Sequence, residues 1–91
     1  MSGKEPKLSQ SLARLLEIPS DLAFDLPRII MQGNLEISIE NHSGLVEFSP
    51  ERIVVGTGRG QLEISGEDLR VKSILIYEIV IEGRISAVRF V

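Results

Sequence analysis

Few residues in this chain have the types and spacing that chemistry requires. Gly56-Thr57-Gly58-Arg59-Gly60 comes nearest to a phosphate loop, because glycines let backbone amides approach an anion and Arg59 adds a positive charge. Its surroundings argue against that use. A nucleotide-binding turn is followed by a helix whose N-terminus faces the phosphate, whereas Gln61 to Ser65 alternate apolar and polar as a strand does, and no Gly-Lys-Ser/Thr ending is present. The plain expectation for 56–60 is a hairpin loop, and the alternative is a small anion- or ligand-binding regulatory site built on Gly56, Gly58, Arg59 and Gly60.

His42 is the single histidine, so no histidine pair can hold a metal, and a lone catalytic histidine has little support. It is expected in a turn, its ring bonded to the neighbouring backbone as Asn41 would be. Glu36, Glu40, Glu47, Glu63, Glu67, Asp68, Glu78 and Glu82 fall mostly at the polar positions of strands, as solvated faces do. A carboxylate pair for acid–base work stays open until the strand register is known. With no cysteine in the chain, a disulfide framework, a thiolate metal site and a cysteine nucleophile are all excluded. No catalytic residue, cofactor or metal site is therefore expected, and contact with other proteins is the expected mode of action.

The elements that must position these residues follow from hydrophobic spacing. Leu8, Leu12, Leu15 and Leu16 recur at i, i+4, i+7 and i+8, which predicts a short amphipathic helix stopping near Glu17, before Pro19. Ser20 and Asp21 can cap one further turn before Pro27. The leucine face either covers the sheet or docks a partner. From Arg28 the period becomes two, with Ile29, Met31, Leu35, Ile37 and Ile39 on one parity and Gly33 marking a bulge, a bend or a tight turn. Asn41, His42, Ser43 and Gly44 predict a turn. Strands then follow around Val46 and Phe48, Ile53 to Val55, Leu62 and Ile64, Leu69 to Ile76, Tyr77 to Glu82 and Ile85 to Val91, with turns at 66–68 and Gly83.

The expected fold is mainly β: a single small domain of about seven short, mostly antiparallel strands, as a meander, a sandwich or a partly open barrel, with one N-terminal helix. Residues 1–7 are expected to be a flexible N-terminus, 8–27 a helical segment and 28–91 the β domain. At 91 residues, 43% hydrophobic and 25% charged, the chain has room and apolar content for one core and no more. A net charge of -3 and 4% aromatic residues give nucleic acid little to bind. No run approaches the roughly 18 apolar residues of a membrane span, and the N-terminus lacks the layout of a secretory signal. Open strand edges leave a homo-oligomer possible.

Asp25-Leu26-Pro27-Arg28-Ile29, then Gly33, then Ile39-Glu40-Asn41-His42 with Gly44-Leu45, resembles the signature of the YabP/YqfC sporulation family. Gly60-Gln61-Leu62-Glu63-Ile64 with Gly66, Leu69 and Val71, and Ile81-Glu82-Gly83 with Ile85, are similar to its strand-turn-strand pattern, so the resemblance runs from about Leu15 to Val91. It implies an endospore-forming bacterium and a protein made in the mother cell, cytoplasmic there and peripheral at the forespore outer membrane, that supports the coat and cortex layers of the spore envelope. It also implies a membrane-associated YqfD-type partner and no enzymatic activity. Pro27, Arg28, Asn41, His42 and Gly44 carry over as signature positions without assigned roles.

Overall fold

The computed structural model describes residues 25–91. The helix expected over 8–17 and the capped turn after it lie outside the described residues, and no helix occurs within them. Six antiparallel strands form one sheet: β1 (Arg28–Gln32), β2 (Glu36–Glu40), β3 (His42–Ser49), β4 (Arg52–Thr57), β5 (Gly60–Ile74) and β6 (Glu78–Phe90), in the spatial order β1-β2-β6-β5-β4-β3.

A flat sheet cannot have this core. In that order β2 and β4 stand three strand spacings apart, about 14 Å, yet Ile37 and Ile39 of β2 belong to one buried cluster with Ile53 and Val55 of β4. The sheet is therefore folded on itself into two layers, with β5 and β6 passing from one layer to the other. In one layer β2 pairs with Glu78 to Glu82 of β6, which pairs in turn with Arg70 to Ile74 of β5. In the other, β4 pairs with Gly60 to Ser65 of β5, whose far neighbour is Ala87 to Phe90 of β6. Period-two alternation points Ile37, Ile39, Ile79 and Ile81 inward from the first layer and Ile53, Val55, Leu62 and Ile64 inward from the second, all fully buried.

The fold line has a clear chemical cause. A Cβ on Gly66 would overlap the backbone carbonyl of Arg84, and one on Gly83 would stand 2.6 Å from the Asp68 carbonyl oxygen and 2.8 Å from the Leu69 Cα. Register shifts fall on both sides, between Ser65 and Gly66 and between Glu67 and Arg70, while Gly83 and Asp68 adopt φ values of 142° and 54°. Bending frees backbone N–H groups that must find new acceptors. They find them in the two neighbouring hairpin turns. The Gly66 and Leu69 amides donate to the Glu51 and Pro50 carbonyls between β3 and β4, and the Gly83 and Ile85 amides donate to the Leu35 and Asn34 carbonyls between β1 and β2.

Three expectations are corrected here. Among the described residues the strands number six, not about seven short ones, and two are long: the turn expected at 66–68 and the hairpin expected across Gly83 are bends inside single strands of 15 and 13 residues. The β5 to β6 reversal instead occurs between Ile74 and Glu78. Of the four residues expected to form a turn at 41–44, only Asn41 lies between strands, in the left-handed region at φ 62°; His42, Ser43 and Gly44 belong to β3. Gly33 does mark a tight turn, between β1 and β2.

Adding one methyl group should separate the two kinds of glycine. Gly33 has open space around it, so Gly33→Ala should cost only the left-handed backbone strain, about 1–2 kcal/mol. Gly66→Ala must push two backbones apart at the fold line and should cost more, about 3 kcal/mol or the loss of folded protein altogether. Urea unfolding of the two variants would show this order; equal midpoints would contradict it.

Candidate interaction surface

The fold line gathers the β1–β2 and β3–β4 turns at one end of the molecule. At the other end lie the signature residues, and Asn41 sits at their centre. Its left-handed backbone lets the chain leave β2 in one layer and begin β3 in the other without a longer loop. Its side-chain Nδ2 donates to the Leu26 carbonyl at 2.9 Å, and its backbone amide donates to the Tyr77 carbonyl at 2.7 Å. His42 follows, and its Nε2 lies 2.9 Å from the Leu75 carbonyl oxygen. A carbonyl accepts only, so the proton is on Nε2; the buried Nδ1 then has no partner among the described residues. The ring does bond backbone, as the sequence suggested, but backbone 33 residues away rather than its neighbour.

Pro27 leads into β1, and Arg28 opposes Glu40 in the register, with an ion pair at 3.4 Å. Gly44 opposes Gly56 at φ 127°, where a Cβ on Gly56 would stand 2.6 Å from the Ser43 hydroxyl. Pro27, Arg28, Asn41, His42 and Gly44 are thus brought to one end of the sheet, where Asn41 and His42 clasp three separate pieces of chain: the segment before β1, the start of β3 and the β5–β6 loop.

What the clasp holds is unusual for a protein surface. Leu75, Ile76 and Tyr77 form the reversal between the two longest strands, and their side chains, with that of Ile74 at the end of β5, face water, Ile76 at 94% and Tyr77 at 65% exposure. The Leu75 amide donates to the Glu78 carbonyl at 2.7 Å, and the Leu75 and Tyr77 carbonyls accept from His42 and Asn41. These three bonds hold the loop's backbone in place. Among the described residues these four consecutive side chains make an exposed apolar patch.

The glycine-rich segment 56–60 is a tight hairpin turn between β4 and β5, with only Gly58 and Arg59 between the strands. The Arg59 amide is directed to the Thr57 hydroxyl at 3.3 Å. The carboxylate of Asp25 lies against Gly58, where a Cβ would overlap it. Gly56 is buried in β4, and Gly60 opposes Thr57 at the start of β5.

Register also settles the carboxylate pairs. Glu36 faces Glu82 and Glu40 faces Glu78 across β2 and β6. Like charges so placed repel, and each pair is relieved by neighbours: Lys72 at Glu36, Arg70 at Glu82, Arg28 at Glu40 and the Ser38 hydroxyl at Glu78. They stand on an outward sheet face with their charges answered. Glu63 departs from the expected solvated position, being only 8% exposed. Arg52 and Arg89 both bind it, and Arg52 also reaches Glu47 at 2.5 Å. Glu47 and Glu63 flank Val54 in the register, so the ion pairs roof an outward-facing valine that is 2% exposed. No period-two reading finds this roof, because its members come from four strands, with Glu63 and Arg89 26 residues apart.

Hydrogen bonding from Arg52, and then from Arg89, holds the Glu63 carboxyl below its ordinary range despite the opposing effect of burial. A depressed folded value means that this stabilisation is complete above the unfolded carboxylate value, near pH 4, and is lost as pH falls through the folded one. The Glu63→Gln variant should therefore be less stable than the parent at neutral pH and approach it below about pH 4. Thermal melts across pH 2–7 would read this as a flatter acid limb; parallel curves would refute it.

A model of the YabP family matches residues 25–91, the whole described region. Over 91 residues the chain is also 45% identical to the Bacillus subtilis (strain 168) protein called "Uncharacterized protein YqfC", an alignment that spans 100% of this chain and 98% of that protein. On both grounds the chain belongs to the YabP family.

Proposed function

We propose that this chain is a non-enzymatic sporulation protein that works in the mother cell and supports formation of the spore envelope by binding another protein. The observation that carries the reading is the water-facing loop Ile74 to Tyr77, braced from behind by Asn41 and His42. Family membership supplies the biological setting. In that setting the partner we favour is a membrane-associated protein of the YqfD type, reached from the cytoplasmic side at the forespore outer membrane. A small-anion module at 56–60 is the weaker reading, because Asp25 already presents a carboxylate to Gly58.

Ile76 contributes almost nothing to the core at 94% exposure, so Ile76→Asp should leave the fold and its thermal midpoint unchanged. Loss of an apolar anchor weakens a protein contact by about 2 kcal/mol, roughly 30-fold. In sporulating cells crosslinked and analysed by mass spectrometry, the variant should lose the parent's crosslinks at residues 74–77 and give spores with a defective coat or cortex. A full set of crosslinks and normal spores from a stably folded variant would remove the proposal.

A further inference from the structure

A second apolar feature lies beside the clasp. A cleft of about 320 Å³ is lined by Leu26, Pro27, Gly60, Gln61, Phe90 and Val91, with Thr57 and Arg59 completing its rim; none of Ile74 to Tyr77 takes part. Phe90 opposes the fully buried Leu62 across β5 and β6, which puts its ring on the core side of the layer. Even so, it is 66% exposed. The inner face of the second layer thus runs past the end of the core, and a large aromatic side chain is left without a cover among the described residues.

We propose that the N-terminal segment of the same chain provides the cover, with Leu8, Leu12, Leu15 and Leu16 seated in this cleft. Three observations converge on that occupant. The chain preceding the described residues departs from the rim itself: Leu26 lines the cleft, and the Asp25 carboxylate lies against Gly58 in the β4–β5 turn. The four leucines recur at helical spacing, making one apolar stripe that needs an apolar surface. The ten residues from Leu16 to Leu26 span up to about 36 Å when extended, enough to fold back and bring the stripe over the cleft. Val91 is a fixed wall for it, since its amide and carbonyl both pair with Gln61, at 3.0 and 3.4 Å. Seated there, the segment completes the core beneath Phe90 and leaves the Ile74 to Tyr77 loop open to a partner.

The absence of cysteine makes the test clean. The full chain is prepared with Leu12→Cys and Val91→Cys, and separately with Leu12→Cys and Arg70→Cys, the latter at an exposed position on the other layer. Under mild oxidation the first pair should close an intramolecular disulfide at least roughly tenfold faster than the second, because seating raises the effective concentration of the two thiols. Equal rates, or a product that is a covalent dimer, would overturn the proposal, the dimer showing that a second copy supplies the stripe. In the cysteine-free full chain, Leu12→Asp with Leu15→Asp should raise the binding of an apolar fluorescent dye several-fold by uncovering Phe90; unchanged dye binding would overturn it equally.

Discussion

No side chain fits between β5 and β6 where Gly66 passes the Arg84 carbonyl and Gly83 passes Asp68, and the rest of the structure depends on that close passage. Because the two strands cross without side chains between them, each can bend there and serve both layers. One sheet thereby acquires two inner faces, and ten buried apolar residues from four strands become a single core. For a chain of 91 residues this is an economical solution. A flat six-stranded sheet would leave a whole apolar face in water.

The bend also dictates what sits at each end. Its unpaired amides require carbonyls, and the β1–β2 and β3–β4 turns supply them, so those two hairpins are anchored to one end of the molecule. The remaining connections collect at the opposite end: the β4–β5 turn, the β5–β6 loop, the one-residue link at Asn41 and the segment leading to β1. Asn41 and His42 reach main-chain acceptors of these segments, which gives both residues a structural role. Arg28, Pro27 and Gly44 shape the same end. A family signature can therefore mark a junction of backbone segments, and what the junction presents to solvent is an apolar loop.

Much of the strand content was legible from alternation, because inward residues such as Ile37, Ile39, Ile53, Leu62, Ile64, Ile79 and Ile81 fall on one parity within their strands. The glycines were harder to read. Gly33, Gly66 and Gly83 look alike in sequence, yet the first closes a turn while the others bend continuous strands, and only the neighbouring backbone separates the two uses. Folding over was invisible for the same reason: it is a relation between Ser65 to Arg70 and Gly83 to Ala87, not a property of either stretch. Of the surface, Leu75, Ile76 and Tyr77 read as strand in sequence because apolar residues suggest burial, yet they form the exposed β5–β6 loop. The roof over Val54 depends on Arg52 and Arg89 meeting at Glu63, which no local pattern records.

The position of β6 has a bearing on how the molecule comes into being. Glu78–Phe90 lies in the middle of the spatial order, between β2 and β5, although it is the last strand in the chain. Until it has emerged during synthesis, the β1–β2 hairpin has no surface to join and β5 has only one neighbour. The described sheet cannot be completed without β6, and joining it to β2 pairs residues about 40 positions apart, Glu36 with Glu82 and Glu40 with Glu78, a long-range contact of the kind that slows folding.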